Sequence, residues 1–256
     1  MRAVRLLVTV AGLSALWQAV IWATSVPRFI LPPPALVAAR LWSDAPLLLH
    51  HALITAGEIL LGLLLGVGIG GLAALLLIVS SVARRWLLPL LIMSQAVPVF
   101  ALAPLLVLWL GYGLASKIAM AALIIFFPVA TSLFDGLRRT EPGWLDLAWT
   151  MGASPWATLR HIRLPAALPA FASGVRVAAA VAPIGAVIGE WVGASAGLGY
   201  LMLHANGRMQ TDLLFAALLV LALLAITLWA VIDALLRRAI PWQPDALPTE
   251  IDSRRE

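Results

Sequence analysis

Six long apolar runs, separated by short polar segments that carry most of the arginines, constrain this chain more than any single residue does. They cover about residues 6–24, 52–79, 86–110, 114–134, 168–190 and 213–236. A helix needs about 20 apolar residues to cross the ~30 Å hydrocarbon core of a bilayer, and each run has roughly that length. Unpaired backbone groups are costly in lipid, so the runs are expected as helices. Composition agrees, with 62% hydrophobic residues, 11% charged residues and a mean hydropathy of +1.01, too apolar for an ordinary water-soluble domain. The expected fold class is an all-α membrane protein of about six transmembrane helices, a single domain over residues 1–256.

The basic residues orient the expected spans. Twelve arginines fall in alternate segments that share one side, namely Arg2, Arg5, Arg84, Arg85, Arg138, Arg139, Arg160, Arg163, Arg237, Arg238, Arg254 and Arg255. Four bases, Arg28, Arg40, Lys117 and Arg208, fall on the other, and Arg176 belongs to neither set. The positive-inside rule then puts both termini in the cytoplasm. Small residues at Ala23, Thr24 and Ser25 leave a cleavable signal peptide open for the first 25 residues, against retention as a first span.

Several function classes are excluded or weakened. The chain has no cysteine, and its histidines, His50, His51, His161 and His204, lie in separate segments, so no metal-ligating set is expected. The bases are spread along loops rather than gathered in a stripe, which argues against nucleic acid. A phosphate-cradling loop needs Gly-x4-Gly-Lys-Ser/Thr, whereas the single lysine, Lys117, precedes Ile118. The acids inside or at the ends of runs, Glu58, Asp135, Glu190 and Asp233, read as isolated, too sparse for an active site or a proton relay. Two features suggest internal contacts. Gly62, Gly66 and Gly70 recur every four residues, a smooth ridge for close helix packing. Ser94 and Gln95 precede Pro98 in a run that Pro98 and Pro104 interrupt; this face lines either a solute pathway or merely a kinked helix. Glu190, at a span end, either meets solute or reaches an interface.

The polar interruption Glu141–Pro165 reads as a helix-turn-helix. Pro142 suits a first helical turn, Gly152 supplies a left-handed stop after Met151, and Ser154-Pro155 caps and opens a second short helix that Leu164-Pro165 is expected to end. Trp144, Leu145, Ala148 and Met151 share a face of the first helix, with Asp146 on another. Such a face suits either a protein partner or a lipid surface. The spacing Asp146-x-Ala148-x3-Gly152, then nine residues to Ile162-x-Leu164-Pro165, resembles the EAA loop of ABC importer permeases, written Glu-Ala-Ala-x3-Gly-x9-Ile-x-Leu-Pro. Asp146 and Leu147 depart from that pattern.

The resemblance implies a type I permease of the MetI-like arrangement in a bacterial inner membrane. Trp144, Asp146, Ala148, Met151, Gly152, Ile162, Leu164 and Pro165 would then couple it to a separate cytoplasmic ATPase dimer. It further implies pairing with a second copy, an extracytoplasmic solute-binding protein, and ATP with magnesium held by the ATPase; no cofactor is expected on this chain, which is not itself an enzyme. Gly197-Leu198-Gly199-Tyr200 resembles the segment after the fifth span in nitrate, sulfonate and taurine permeases, and the run from Gly189 to Val220 is similar to permeases for thiamine-related pyrimidine precursors.

Overall fold

The computed structural model describes residues 2–242, excepting the side chains of Arg2, Ala3, Leu6, Leu7 and Ser94. Arg254 and Arg255, counted above, lie outside the described residues, as does the Ser94 side chain. Among the described residues all regular structure is helical, in the order α1 (Arg2–Thr24), α2 (Pro34–Ser43), α3 (Ala45–Val79), α4 (Ser81–Ser94), a 3-10 turn (Val99–Leu102), α5 (Ala103–Leu110), α6 (Leu114–Arg138), α7 (Pro142–Thr150), α8 (Pro155–Thr158), a π turn (Leu159–Arg163), α9 (Leu164–Gly193), α10 (Leu198–Gly207) and α11 (Thr211–Ala239). Four segments are long and apolar enough to cross a membrane by length and composition: Ala45–Val79, Leu114–Arg138, Pro155–Gly193 and Thr211–Ala239. Two shorter apolar segments, Val8–Thr24 and Val99–Leu110, stand where the first and third runs were expected.

Three boundaries differ from the sequence expectation. Helix α3 begins at Ala45 rather than near 52, because nothing after Asp44 breaks the helix until Ser80 caps the next one. The run 86–110 is not one helix: α4 ends at Ser94 with Gln95 as its C-cap, and Pro98 and Pro104, which lack an N–H, leave a 3-10 turn and a fresh start at Ala103. The second helix of the hairpin does not end at Leu164-Pro165. A π turn over Leu159–Arg163 joins α8 to α9, so Pro165 falls in the first turn of a new α-helix, where its missing N–H costs nothing.

The chain divides into two compact units. The first comprises Met1–Leu64, Pro98–Leu123 and Ala182–Ile226. Its core gathers Val37, Leu48, Ala52, Leu198, Leu201, Leu213 and Ala216, with Trp17 of α1 tilted against Phe215 at 5.5 Å. Ala121 of α6 is wholly enclosed: a Cβ on Gly62 of α3 would collide with its side chain, and one on Gly185 of α9 would come within 2.7 Å of its Cα. Arg40 of α2 bonds Asp44 at 2.9 Å and Asp212 of α11 at 2.8 Å, tying the connector helix to the last long helix.

The second unit comprises Leu65–Val97, Ile124–Val181 and Thr227–Glu256. Leu77, Leu133, Leu137 and Leu159 form its interior with Ala74 and Ala167. Here too glycines set the helix spacing. A Cβ on Gly70 would lie 2.8 Å from the Phe126 carbonyl oxygen and 3.1 Å from Val129 Cβ; one on Gly174 would lie 2.7 Å from the Pro128 carbonyl oxygen. Gly66, between Gly62 and Gly70 on the α3 ridge, is buried as they are. Arg176, unassigned by the sequence, pairs with Asp233 at 2.7 Å, and Asp233 also holds Arg237 at 2.8 Å. Gly70→Leu is expected to lower the melting temperature in detergent markedly, since its backbone neighbours on α6 cannot move aside. Leu65→Ala, at a residue 43% exposed, should shift it little; equal melting of the two variants would show that the ridge does not set the α3–α6 approach.

Candidate functional site

The hairpin is built by local rules. Pro142 stands at the start of α7, whose nine residues end in a Schellman turn: the N–H of Gly152 donates to the Trp149 carbonyl and that of Ala153 to the Ala148 carbonyl, both at 2.9 Å. Gly152 carries φ +73°, the left-handed conformation this turn requires. One residue on, Ser154 Oγ accepts the Ala157 N–H at 3.2 Å and caps α8. Stop and start are thus separated by Ala153 alone, which fixes the angle between the two helices.

Of the α7 side chains only Ala148 is buried; Trp144, Leu147 and Trp149 are 51%, 60% and 81% exposed, and Met151 at the C-cap is 77% exposed. An exposed apolar surface of this kind on a helix is one that a protein or a membrane can cover. Trp144, Ala148, Met151, Ile162 and Pro165 line one groove of about 640 Å³, together with Leu147, His161 and Trp242. Asp146 is exposed and Leu164 packs inward against the unit's core, so neither lines the groove, and Gly152 acts through its backbone. Trp242 completes the wall from the far end of the chain, a contribution no local sequence signal announces.

A second cluster lies in the other unit. Helix α10 starts with four N–H groups that have no partner within the helix, and each is taken by a side chain of α3 or α9. His51 Nδ1 accepts from Gly197 at 2.9 Å, Thr55 Oγ1 from Leu198 at 2.8 Å, and Glu190 Oε2 from Gly199 and, at 3.2 Å, from Tyr200. Thr55 in turn donates to Glu190 Oε1 at 2.6 Å. Because His51 accepts at Nδ1, that nitrogen is unprotonated. The two glycines of Gly197-Leu198-Gly199 are explained by this arrangement: Gly197 has φ +117°, a Cβ there would overlap the Glu190 carboxyl group, and one on Gly199 would lie 2.8 Å from Glu190 Oε2.

Glu190, 1% exposed, therefore has its oxygens occupied by internal donors and lines no open path in this conformation. Gln95 and Pro98 lie in the exposed break between α4 and α5. Lys117, counted above among the outer loop bases, is enclosed and forms an ion pair with Glu58 Oε1 at 3.1 Å, with side chains 9% and 0% exposed. Glu58 and Glu190, which read as isolated, share one buried region of the first unit with Lys117, because Lys117 lies in the first turn of α6 and Glu190 in the last turn of α9, two helices that pack against α3.

Comparison with known proteins sets these features in a family. Residues 66–242 match the model described as binding-protein-dependent transport system inner membrane component. The chain is 56% identical over 239 residues to a probable ABC transporter permease protein of Haemophilus influenzae, covering 93% of this chain and 98% of that protein. It is 40% identical to a riboflavin transport system permease protein of Chloroflexus aurantiacus, covering 92% and 89%, and 36% identical to a formylaminopyrimidine transport permease protein of Halalkalibacterium halodurans, covering 88% and 92%. In fold it resembles a chain of the MetNI methionine ABC transporter, with TM-score 0.67 and 20% identity over 77% of this chain and 97% of that one. The chain belongs to the binding-protein-dependent inner-membrane components of ABC transporters, and is a multi-pass, all-helical, non-catalytic permease subunit of the MetI-like fold.

Proposed function

We propose that this permease imports a thiamine-related pyrimidine precursor of the hydroxymethylpyrimidine type, and that the hairpin of α7 and α8 is where a separate ATPase drives it. The observation that carries the coupling role is the groove itself: five of the eight residues singled out in the hairpin line one mainly apolar groove. Gly152 and the Ser154 cap make that surface rigid, so a push on α7 passes into α9 through the continuous backbone of the π turn. Asp146, exposed on α7, supplies the acid that the family pattern has at this place.

Two copies of the chain form the pathway, with Gln95, Pro98 and the Ser94 position lining it. ATP and magnesium stay on a cytoplasmic ATPase dimer, both permease termini face the cytoplasm, and an extracytoplasmic binding protein delivers the solute. The cargo reading is supported by the run Gly189–Val220 and by the two relatives whose stated solutes both contain a pyrimidine ring.

Vesicles bearing the permease, its ATPase and its binding protein should accumulate labelled hydroxymethylpyrimidine only when ATP is present, and excess unlabelled pyrimidine should block uptake while taurine should not. Competition by taurine alone would move the cargo to the sulfonate branch. Accumulation by the permease alone under an imposed proton or sodium gradient would make it a secondary carrier and end the coupling assignment.

A further inference from the structure

We propose that the side of the hairpin turned away from the Trp144 groove is a binding site for an anionic phospholipid. A second groove, of about 670 Å³, lies there, and Ile78, Val79, Trp149, Trp156, Leu159 and Arg163 are among its walls. This inference rests on the chain being a membrane permease and not on the cargo or coupling readings.

Three observations select a lipid as the occupant. First, the groove opens at the last turn of α3, the apolar membrane helix that ends at Val79, so it sits where a span leaves hydrocarbon for headgroups. A site at that depth meets acyl chains on one side and phosphates on the other. Second, Trp149 and Trp156 are 81% and 66% exposed and Val79 67%, an apolar and indole-rich surface of the kind that settles at the membrane interface. Third, the charge is complementary. Arg163 lines the groove, Arg160 precedes it by one turn, and Arg84 and Arg85 follow Val79 by five and six residues. The ion pairs of this unit engage Arg138, Arg139, Arg176 and Arg237, whereas Arg84, Arg85, Arg160 and Arg163 have no acidic partner among the described residues. An acyl chain along Ile78, Leu159 and the indoles would leave the lipid phosphate beside the Arg163 guanidinium, which offers a planar, multidentate donor set. Zwitterionic lipid would fill the same apolar walls without that gain.

The test uses the full-length permease, stripped of lipid in detergent and titrated with phosphatidylglycerol or phosphatidylcholine, with bound lipid counted by native mass spectrometry. The parent should retain phosphatidylglycerol more tightly than phosphatidylcholine. Arg163→Gln should weaken phosphatidylglycerol about fivefold, the effect of about one interfacial basic residue, and leave phosphatidylcholine unchanged. Trp149→Ala, at an exposed surface position that does not threaten folding, should weaken both lipids. Arg208→Gln, a basic residue of the other unit, should alter neither. Equal retention of the two lipids by the parent, or an Arg163→Gln variant indistinguishable from it, would overturn the site. So would competition by glycerol phosphate as effective as that of intact lipid, which would reduce it to a phosphate contact. Displacement of bound phosphatidylglycerol by the ATPase subunit would also overturn it, by showing that this groove faces protein.

Discussion

Lys117→Met should destabilise the permease by about 3–5 kcal/mol, the range seen when one partner of a buried ion pair is removed. The physical case is the enclosure of Glu58, whose side chain has no exposed surface and whose ion-pair partner is the Lys117 ammonium at 3.1 Å. Take the ammonium away and a carboxylate remains in a dry interior, within a region that already holds the Glu190 carboxylate. Glu190 tolerates this place because the N–H groups of Gly199 and Tyr200 and the Thr55 hydroxyl satisfy it; Glu58 has no such set of donors. The pair itself adds little net stability, since desolvating two charges offsets most of their attraction. Hence the double replacement Glu58→Leu with Lys117→Met should melt close to the parent, even though each single change is severe. Thermal unfolding of the four proteins in one detergent forms a complete cycle. A single Lys117→Met variant as stable as the parent would show that the pair is hydrated rather than enclosed.

Gly152→Val is expected to leave the protein inserted and folded but to reduce ATPase co-purification and ATP-driven uptake by at least about tenfold, as a change in site geometry rather than in packing. Nothing lies within 4 Å of a Cβ built at this glycine, so the substitution does not clash. Its cost comes from φ +73°, which a β-branched residue adopts only under strain. The Schellman bonds from Gly152 and Ala153 would give way first, and α7 would swing relative to the Ser154-capped start of α8. Trp144 and Met151 would then leave the wall they share with Ile162 and Pro165. Gly152→Asn is the informative companion, because asparagine tolerates the left-handed region and should retain most of the activity. Undiminished co-purification and uptake by Gly152→Val would remove the hairpin from the coupling role.

The hairpin was readable from sequence because each of its instructions is local. Pro142, Gly152, Ser154 and Pro155 act on backbone groups within a turn of themselves, and the turn forms as those residues require. The same logic misjudged Pro165. A proline disrupts a helix only by withholding a hydrogen bond that the helix needs, and the π turn just before it removes that need.

The glycine spacing in α3 identified a face but not what meets it. That Gly62 faces Ala121, and that Gly70 rides on the Phe126 carbonyl, depends on where α6 lies, which no residue of α3 encodes. The acids show the limit most clearly. Glu58 and Glu190 are separated by about half the chain and read as isolated; folded, Glu190 caps a helix whose glycines admit it, and Glu58 pairs with the single lysine. Hydrophobic run length and local backbone stereochemistry are properties of consecutive residues, so the sequence alone determined the helical membrane class and the turn of the hairpin. Pairing of buried charges and completion of the Trp242-walled groove are properties of residues brought together across the chain, and only the packing of α3, α6, α9 and α10 in one unit, and of the hairpin with the chain's far end in the other, decided them.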